Sequence, residues 1–434
     1  MAELRRALGL FDATMVNVGV MIGSAVFLVA SDVARAFPHP ALQLGTWVIA
    51  GLFSLAGALT IAELGVSLPQ AGGLYVYLRH AFGPFWGFLY GWALFAVIQT
   101  ASIAAVAVAF ASYFGHFLPL SPAAARIVAI ASIAALTAIN VAGVREGVLT
   151  QNAVTLAKLL VVFGLVVLAF VQPHAAVQDV AALGRRETGG LAVLGSALVG
   201  PLFAFDGWIT LSYMGGEVER PSRNLPLAAL ASVGIVLGLY VALNGAYLYV
   251  LGPRGVAESP LVAADTARAL LGPRGADLAA GMVALAMLGG LNGNILGGAR
   301  VLYAMAEGRL FWRPAARVDP RFGTPAIALG AQAAVSIAFV FTGRFEQLLT
   351  SVLFASWLFY ALGGLAVFAL RRDSHLERPY RVPGYPVVPA LFVAFAALLL
   401  VSTIAAAPRE AAIGAGLLLT GVPAYLLFSR GMHH

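Results

Sequence analysis

Long apolar stretches recur along the whole chain. Each is about 20 residues long, the length that an α-helix needs to cross the hydrocarbon core of a bilayer, and short charged connections separate them. Of the 434 residues, 61% are hydrophobic and only 10% are charged, so the chain lacks the polar surface of a water-soluble protein of this length. These features predict an all-α polytopic membrane protein that folds as one transmembrane domain over residues 1–434.

Hydropathy predicts about twelve spans. In chain order they lie near 11–34, 42–66, 84–117, 123–143, 151–171, 191–214, 227–251, 278–306, 325–342, 346–370, 386–406 and 410–429. Arginines are more frequent in the loops on the side of the N-terminus than in the opposite loops, which predicts that the N- and C-termini both face the cytoplasm. The expected location is the cell inner membrane. The net charge of +7 then lies beside lipid headgroups, and no nucleic acid partner is expected.

The residues needed for several function classes are missing from the sequence. The chain has no cysteine, which excludes disulfides, thiol catalysis and cysteine-based metal sites. The seven histidines show no metal-ligand spacing, and neither a Ser/His/Asp set nor a pair of carboxylates on one helix is present. We therefore expect no catalytic residues, no metal, no cofactor and no enzymatic activity.

The first span is interrupted at half-depth by small residues. In VGVMIGSAVFL (18–28), Gly19, Gly23 and Ser24 stand among apolar residues. Each glycine lowers local helix stability by roughly 1 kcal/mol relative to alanine. Small residues also occur where two membrane helices pack closely, so this motif alone is consistent with close packing or with a break in the helix.

The sixth span has the same peculiarity. SALVGPLFAFDGWITL (196–211) contains a Gly-Pro pair and then Asp206 and Gly207 near mid-span. A carboxylate at this depth is costly unless it is hydrogen-bonded. We predict that the helix unwinds at 203–205 and that Asp206 caps the half that follows. Direct contact of Asp206 with a substrate is the alternative.

Interruptions in spans one and six are typical of inverted-repeat transporters, because the two spans stand five positions apart. We predict a first repeat at 8–171, a second repeat at 191–370 and two additional C-terminal helices at 386–430. Broken helices expose backbone groups, which is tolerable at the bilayer midplane only when they line a cavity. Free N–H groups suit a carboxylate and free carbonyls suit an ammonium, so the two breaks together match an α-amino acid.

Lys158, in QNAVTLAKLLVVFGLVV (151–167), is the only lysine in the chain. Extension of its ammonium to the membrane interface is one interpretation. Arginine serves at every other basic position, so a specific need for a compact ammonium is the other. In that case the amine would lie among carbonyls freed by the break in span one, in place of a sodium ion. Burial would favour the neutral amine and allow a proton-dependent switch.

Four stretches of the chain carry a resemblance to a known family. GVMIGSAVF (19–27) resembles the G-x-I-I-G-S-G-I-F signature of the amino acid–polyamine–organocation (APC) superfamily of transporters. Residues 58–92 resemble that family's second span and re-entrant connection. FAFDGWITLSYMGGEVERPSRNLPLA (203–228) and GLNGNILGGARVLYAMAEG (290–308) resemble helices six and eight of its L-type amino acid transporter (LAT) branch. The similarity runs from about residue 8 to 385.

The resemblance implies a leucine-transporter-like fold of twelve helices, with a 5+5 inverted repeat and discontinuous helices 1 and 6. It also implies alternating access and sodium-independent exchange of L-amino acids. Carried over position by position, it assigns the substrate carboxylate to Ile22, Gly23, Ser24 and Ala25. It assigns the substrate ammonium to carbonyls of Val20, Phe203, Ala204 and Phe205. Lys158 matches the lysine that occupies the vacant sodium position of the family.

Further candidates surround these backbone groups. The resemblance matches Tyr240 with a tyrosine that links the break in helix one to substrate. Asn292 and Asn294 in the eighth span are candidates for the same site or, alternatively, for hydrogen bonds between helices. Aromatic candidates for a gate or floor of the pocket are Phe203, Phe205, Trp208 and Tyr240. Trp208 is equally suited to face lipid.

Two features depart from the family pattern. Ala25 stands where the signature has glycine, which narrows the pocket there and changes the fit of the carboxylate. Eukaryotic members of this branch join a single-span heavy chain through a cysteine, and this chain has none. The resemblance therefore implies a bacterial stand-alone member, with a monomer as the working expectation. Its expected partners are L-amino acid substrates and the lipid bilayer.

The leading hypothesis is a sodium-independent exchanger (antiporter) of neutral L-amino acids, because the predicted pocket has no charged side chain dedicated to a substrate side chain, apart from Asp206. The alternatives are a proton-coupled symporter that works through Lys158 and a transporter of cationic amino acids or polyamines that pair with Asp206. A more distant alternative is an amino acid sensor that shares the site without transport.

Overall fold

The structure is a computed structural model that describes residues 4–172, 191–342, 345–406 and 408–429. The helices of the first half are α1 (Leu10–Met21), α2 (Ala25–Leu28), α3 (Ala30–Ala36), α4 (Pro40–Ser67), α5 (Leu74–Phe82), α6 (Pro84–Ala93), α7 (Gln99–Phe114), α8 (Pro122–Ala142) and α9 (Val144–Val171). Those of the second half are α10 (Leu191–Phe205), α11 (Thr210–Tyr213), α12 (Pro221–Glu258), α13 (Val262–Leu271), α14 (Arg274–Glu307), α15 (Ala326–Thr342), α16 (Phe345–Leu370), α17 (Val387–Ala406), α18 (Pro408–Leu419) and α19 (Gly421–Ser429).

These elements confirm the all-α polytopic fold class. Within the described residues, eight helices are long and apolar enough to cross a membrane, and shorter apolar helices lie at Leu10–Met21, Ala326–Thr342 and Phe354–Leu370. Each predicted span coincides with a helix or with an interrupted helix, and a π-helical segment at Leu94–Ile98 joins α6 to α7. The short helix α13, between spans seven and eight, was not predicted. The division into repeats at 8–171 and 191–370 and added helices at 386–430 stays a prediction.

The orientation of the chain was predicted from the arginines in its loops. Four of those arginines lie outside the described residues, namely Arg185, Arg186, Arg344 and Arg430.

Proline determines where several helices begin. Pro40, Pro84 and Pro122 occupy the first turn of α4, α6 and α8, where the missing N–H costs nothing and the fixed φ suits a helix. Ser121 adds an N-cap to α8, because its hydroxyl accepts from the backbone N–H of Ala124 at 3.2 Å.

The first span is broken, as predicted. α1 ends at Met21, α2 begins at Ala25, and residues 22–24 between them are not helical. Ile22 has φ −78° and ψ 79°, outside the helical region. Val29 keeps helical dihedrals between α2 and α3, so residues 25–36 form one nearly continuous outer half of the span.

The sixth span is also broken, but further along than predicted. α10 continues through Phe205 and α11 begins at Thr210, so the break lies at 206–209 and the prediction of unwinding at 203–205 is wrong. The cause is Gly207, whose φ of 122° is rarely adopted by residues other than glycine. A Cβ on Gly207 would lie 2.7 Å from Cγ1 of Val20. The glycine therefore lets the two breaks touch.

Two sets of contacts lie on the N-terminal face, the side of the molecule where the chain starts. The backbone N–H groups of Ala7 and Leu8 donate to the carbonyl of Glu217 at 2.9 and 3.0 Å, and that of Glu219 donates to Leu8 O at 2.9 Å. Arg300 of α14 forms a two-pronged ion pair with the Glu217 carboxylate at 2.7 and 3.0 Å, and both side chains are fully buried. The start of the chain is thereby joined to α14 through the connection after α11.

Candidate functional site

A cavity of about 140 Å³ lies between the two helix breaks. Its wall is formed by both breaks, by the π-helical segment with its flanking helices α6 and α7, and by α14 and α16. Most of the wall is apolar. The polar side chains that line it are Ser24, Tyr90, Gln99, Ser102, Asp206, Thr210, Tyr213, Asn294, Ser356 and Tyr360. Asp206 is the one charged side chain among these described lining residues.

Three of the four residues expected to hold a carboxylate line this cavity, namely Gly23, Ser24 and Ala25. They form the start of the outer half of span one, where the first N–H groups of a helix lack intrahelical acceptors and carry the positive end of the dipole. Ile22 does not reach the cavity. Its side chain is fully buried, and its carbonyl is bonded to a side chain of α9.

The residues expected to accept an ammonium are divided. Val20 and Phe203 line the cavity. Ala204 lies behind the wall, and its carbonyl accepts from the hydroxyl of Tyr240 at 2.9 Å. Phe205 is also behind the wall, with its ring centroid 5.0 Å from that of Tyr240. The structure thus brings half of this predicted set to the cavity.

Tyr240 joins the two breaks to each other. Its buried hydroxyl lies 2.7 Å from the carbonyl of Met21 and 2.9 Å from that of Ala204. The ring packs edge-on against Trp47, with centroids 5.4 Å apart. The expected hydrogen bond to the end of α1 beside its break is present, and the same hydroxyl also contacts α10 close to the break in span six. The expected link from Tyr240 to a substrate stays a prediction.

Lys158 is fully buried. Its ammonium donates to the carbonyl of Gly19 and to that of Ile22, the latter at 2.9 Å. These carbonyls flank the end of α1 and include one freed by the break, so extension of this lysine to the interface is wrong. Gly289 of α14 leaves room for the amine, because a Cβ there would lie 2.8 Å from Nζ.

Asp206 does not cap the helix that follows it. Its Oδ1 accepts from the N–H of Gly207 at 3.1 Å and from the hydroxyl of Tyr360 at 2.8 Å. The N–H of Leu211 in α11 donates to Oδ1 of Asn17 at 2.9 Å instead. The predicted cap is wrong because the left-handed turn at Gly207 separates the carboxylate from α11.

Trp208 is buried in the protein and does not face lipid. Only 3% of its surface is exposed, and its ring lies 5.2 Å from that of Tyr360 and 5.9 Å from that of Phe392, centroid to centroid. It does not line the cavity, so it supports the wall from behind.

The two asparagines of α14 have different positions. Asn292 forms hydrogen bonds between helices: its amide donates to Gly147 O at 3.1 Å and to Gln151 Oε1 at 2.9 Å. Asn294 lines the cavity, and its backbone and side-chain oxygens accept from Nε2 of Gln99 at 2.8 and 3.1 Å.

Sequence reasoning missed a cluster of tyrosines around Asp206. The hydroxyls of Tyr90 and Tyr213 lie 2.7 Å apart, and Tyr360 donates to Asp206. All three line the cavity and come from different spans. No local pattern distinguishes them from other aromatic residues of apolar helices.

A second ion pair lies on the N-terminal face. Arg371 donates to both oxygens of Glu63 at 2.7 Å, and the N–H of Val382 donates to Glu63 Oε2 at 2.6 Å. The hydrogen bond with Glu63 raises the pKa of Arg371 above its ordinary value. Among the described residues, no group of three or more His, Asp or Glu is arranged to hold a metal ion.

Helices that are long and apolar enough to cross a membrane, together with two interrupted helices that meet at a cavity, are typical of a helical membrane transporter. The amino acid permease family model matches residues 8–428, and the chain belongs to that family. It is 31% identical to the serine/threonine exchanger SteT of Bacillus subtilis (strain 168) over 97% of this chain and 96% of that protein. It is 30% identical to the human b(0,+)-type amino acid transporter 1 over 98% of this chain and 88% of that protein.

The human large neutral amino acids transporter small subunit 2 is 29% identical over 98% of this chain and 80% of its own length. The APC and LAT resemblance is therefore confirmed. The chain is a multi-pass membrane protein that transports amino acids and is not an enzyme.

Proposed function

We propose that this chain is a sodium-independent exchanger of small neutral L-amino acids and works by alternating access in the cell inner membrane, with both termini in the cytoplasm. Its similarity to a serine/threonine exchanger supports exchange as the transport mode. The geometry of the cavity supports the substrate class, and the buried lysine supports independence from sodium.

The two ends of the substrate meet backbone groups of opposite polarity. The first N–H groups of the outer half of span one, at Ser24 and Ala25, bind the carboxylate. The ammonium lies toward the carbonyls at the end of α1, beside Val20, and toward Phe203 at the end of α10. Both residues line the same cavity as Ser24 and Ala25, so one bound amino acid can bridge the two breaks.

The substrate side chain occupies the part of the cavity toward α7 and α16. Ser102, Ser356 and Asn294 supply hydroxyl and amide groups there. A site that hydrogen-bonds a substrate hydroxyl discriminates strongly against analogues that lack it. A cavity of about 140 Å³ also favours serine, threonine and alanine over large aromatic amino acids.

The observation that carries the proposal is the position of Lys158. Unwound backbone at mid-membrane leaves carbonyls that need a donor or a cation. The ammonium of Lys158 meets two of them, at Gly19 and Ile22, so the break is stable without a bound metal ion. Transport is then independent of the sodium gradient.

Alternating access requires the N-terminal face to open. The contacts of Ala7 and Leu8 with Glu217 close this face beneath the cavity. Release of substrate on this side requires α1 to move away from the connection after α11. None of Ala7, Leu8 and Glu217 lines the 140 Å³ cavity, so these contacts lie outside it and have to be released when this face opens.

The test is flux into proteoliposomes. Vesicles loaded with unlabelled L-serine should take up labelled L-serine rapidly, and vesicles loaded with buffer should not. Replacement of external sodium by choline should leave the rate unchanged. A requirement for sodium, or equal uptake into empty vesicles, would contradict the proposal, and protein-free vesicles give the background.

A second candidate function is favoured by Asp206, because this carboxylate lines the cavity. A cationic amino acid or polyamine could pair with it, and proton-coupled uptake through Lys158 is the related alternative. The same vesicles separate these functions: arginine would compete with labelled serine, or a proton gradient would drive uptake into empty vesicles. Binding without any flux would identify a sensor.

A further inference from the structure

A second cavity, unconnected with the transport site, opens on the N-terminal face. Its volume is about 470 Å³, and it lies between α5 and the end of α14. Polar and charged side chains dominate its lining, among them Arg79, His80 and Arg309. We call it the α5/α14 pocket. The proposed function of the chain gives it no role.

Arg79 is held in place in this pocket by contacts other than an ion pair. Nη1 of Arg79 lies 3.4 Å from the hydroxyl of Tyr75, and Arg79 is half-buried. Gly308 makes this position possible, because a Cβ there would collide with Nη1 of Arg79 and with the Tyr75 hydroxyl. In the parts of the chain that the structure describes, no carboxylate forms an ion pair with Arg79 or Arg309.

The backbone also directs Arg309 to this position. Arg309 has φ 60°, a left-handed conformation that is costly for a residue with a side chain. Because the helix α14 ends at Glu307, this turn carries Arg309 back to the pocket that Arg79 lines. Two guanidinium groups that converge on one polar cavity form the arrangement that binds phosphate oxygens in pairs.

The pocket lies at the depth of lipid headgroups. Trp86 at the start of α6 is 39% exposed, and Trp312 after the end of α14 is 53% exposed. Tryptophan is enriched where the hydrocarbon core meets the headgroups. These residues follow the two elements that form the pocket, so its mouth is within reach of the adjacent leaflet.

The carboxylate of Glu307 lowers the net positive charge of the pocket, and this determines how much negative charge a ligand should carry. It lines the same pocket and partly offsets the two arginines. A singly charged phosphodiester is thereby favoured over a more highly charged anion. We propose that the α5/α14 pocket binds the phosphodiester headgroup of an acidic phospholipid through Arg79 and Arg309.

The experiment titrates a short-chain phosphatidylglycerol into the detergent-purified full chain and follows tryptophan fluorescence. Wild-type protein should bind it, and the matched phosphatidylcholine should bind at least tenfold more weakly. Arg79→Gln and Arg309→Gln should each weaken binding about five- to tenfold, the effect of one basic residue at an acidic headgroup. Arg372→Gln is the control, because Arg372 is exposed outside the pocket and should leave the affinity unchanged.

Gly308→Ala separates a shaped site from general attraction to positive charge. The substitution leaves the net charge unchanged but displaces the guanidinium of Arg79, so it should weaken phosphatidylglycerol binding as Arg79→Gln does. Equal affinity in wild-type, Arg79→Gln, Arg309→Gln and Arg372→Gln would overturn the proposal, as would equal binding of phosphatidylcholine.

A parallel titration with inorganic phosphate distinguishes the sources of the ligand. Weak binding of phosphate supports the lipid. Binding of phosphate as tight as that of phosphatidylglycerol would overturn the assignment to a lipid headgroup. Among the described residues, the guanidinium of Arg309 donates no hydrogen bond, and the backbone bond from Arg309 N–H to Ala306 O does not depend on the side chain. Arg309→Gln should therefore fold normally, and gel filtration checks this.

Discussion

Tyr240→Phe tests whether the contact between the two helix breaks maintains the transport site. The substitution removes one hydroxyl and keeps the ring, including its contacts with Trp47 and Phe205. Ala204 O then loses its partner, and Met21 O keeps the bond from Gly23 at 2.8 Å. One buried carbonyl is left unpaired.

The expected loss follows from that count. An unpaired buried polar group costs about 1–3 kcal/mol. We expect the unpaired carbonyl to destabilise the arrangement of the two breaks that binds substrate. Since each ~1.4 kcal/mol corresponds to a factor of ten, kcat/KM for exchange should then fall about 5- to 150-fold. Initial exchange rates in proteoliposomes that contain equal amounts of protein measure this loss.

Tyr247→Phe is the matched control. Tyr247 lies on the same helix and is also fully buried, but among the described residues its hydroxyl has no hydrogen-bond partner. Its removal should leave exchange unchanged and leave the thermal midpoint equal or higher. Equal activity of Tyr240→Phe and Tyr247→Phe would refute the argument that the Tyr240 hydroxyl holds the two breaks together.

Three further predictions, one of them with a control variant, test other parts of the site and fold. Lys158→Ala should insert normally but lose at least tenfold in exchange rate, because two carbonyls at the first break lose their donor; full exchange at every pH tested would contradict the role of this lysine. Glu217→Gln leaves the buried guanidinium of Arg300 without its counter-charge and should lower the free energy of unfolding by about 3–5 kcal/mol. Glu258→Gln breaks an exposed pair that water screens, so its thermal midpoint should stay close to that of the wild type. Similar thermal midpoints for Glu217→Gln and Glu258→Gln would count against the buried pair. Ala25→Gly should widen the range of accepted side chains in a competition panel, and an unchanged profile would argue that Ala25 does not limit the pocket.

Local sequence patterns were sufficient to predict a structural feature where all the residues that cause it lie in one segment. Gly19, Gly23 and Ser24 lie in one apolar span, and the break at residues 22–24 includes two of them. Lys158 could be connected to that break because a charge inside a span needs a partner, and freed carbonyls supply one. The ammonium lies at Gly19 O and Ile22 O.

The sequence was insufficient where the outcome depends on dihedral angles or on distant residues. Asp206 was a reasonable cap by residue type, but the φ of Gly207 directs it to Tyr360, and Asn17 of α1 bonds the N–H of Leu211 across the molecule. The tyrosines around Asp206 come from three spans. Such contacts are made by tertiary packing, which no periodicity within a single span reveals.

The most direct test of a receptor built from two helix breaks is competition by truncated substrates. Labelled L-serine exchange is measured in the presence of excess L-serine, ethanolamine (which lacks the carboxylate) or 3-hydroxypropanoate (which lacks the ammonium). If the backbone groups beside the two breaks bind both the carboxylate and the ammonium of the substrate, only L-serine competes, because each analogue leaves one set of backbone groups unpaired. Competition by either analogue at the potency of L-serine would contradict the account.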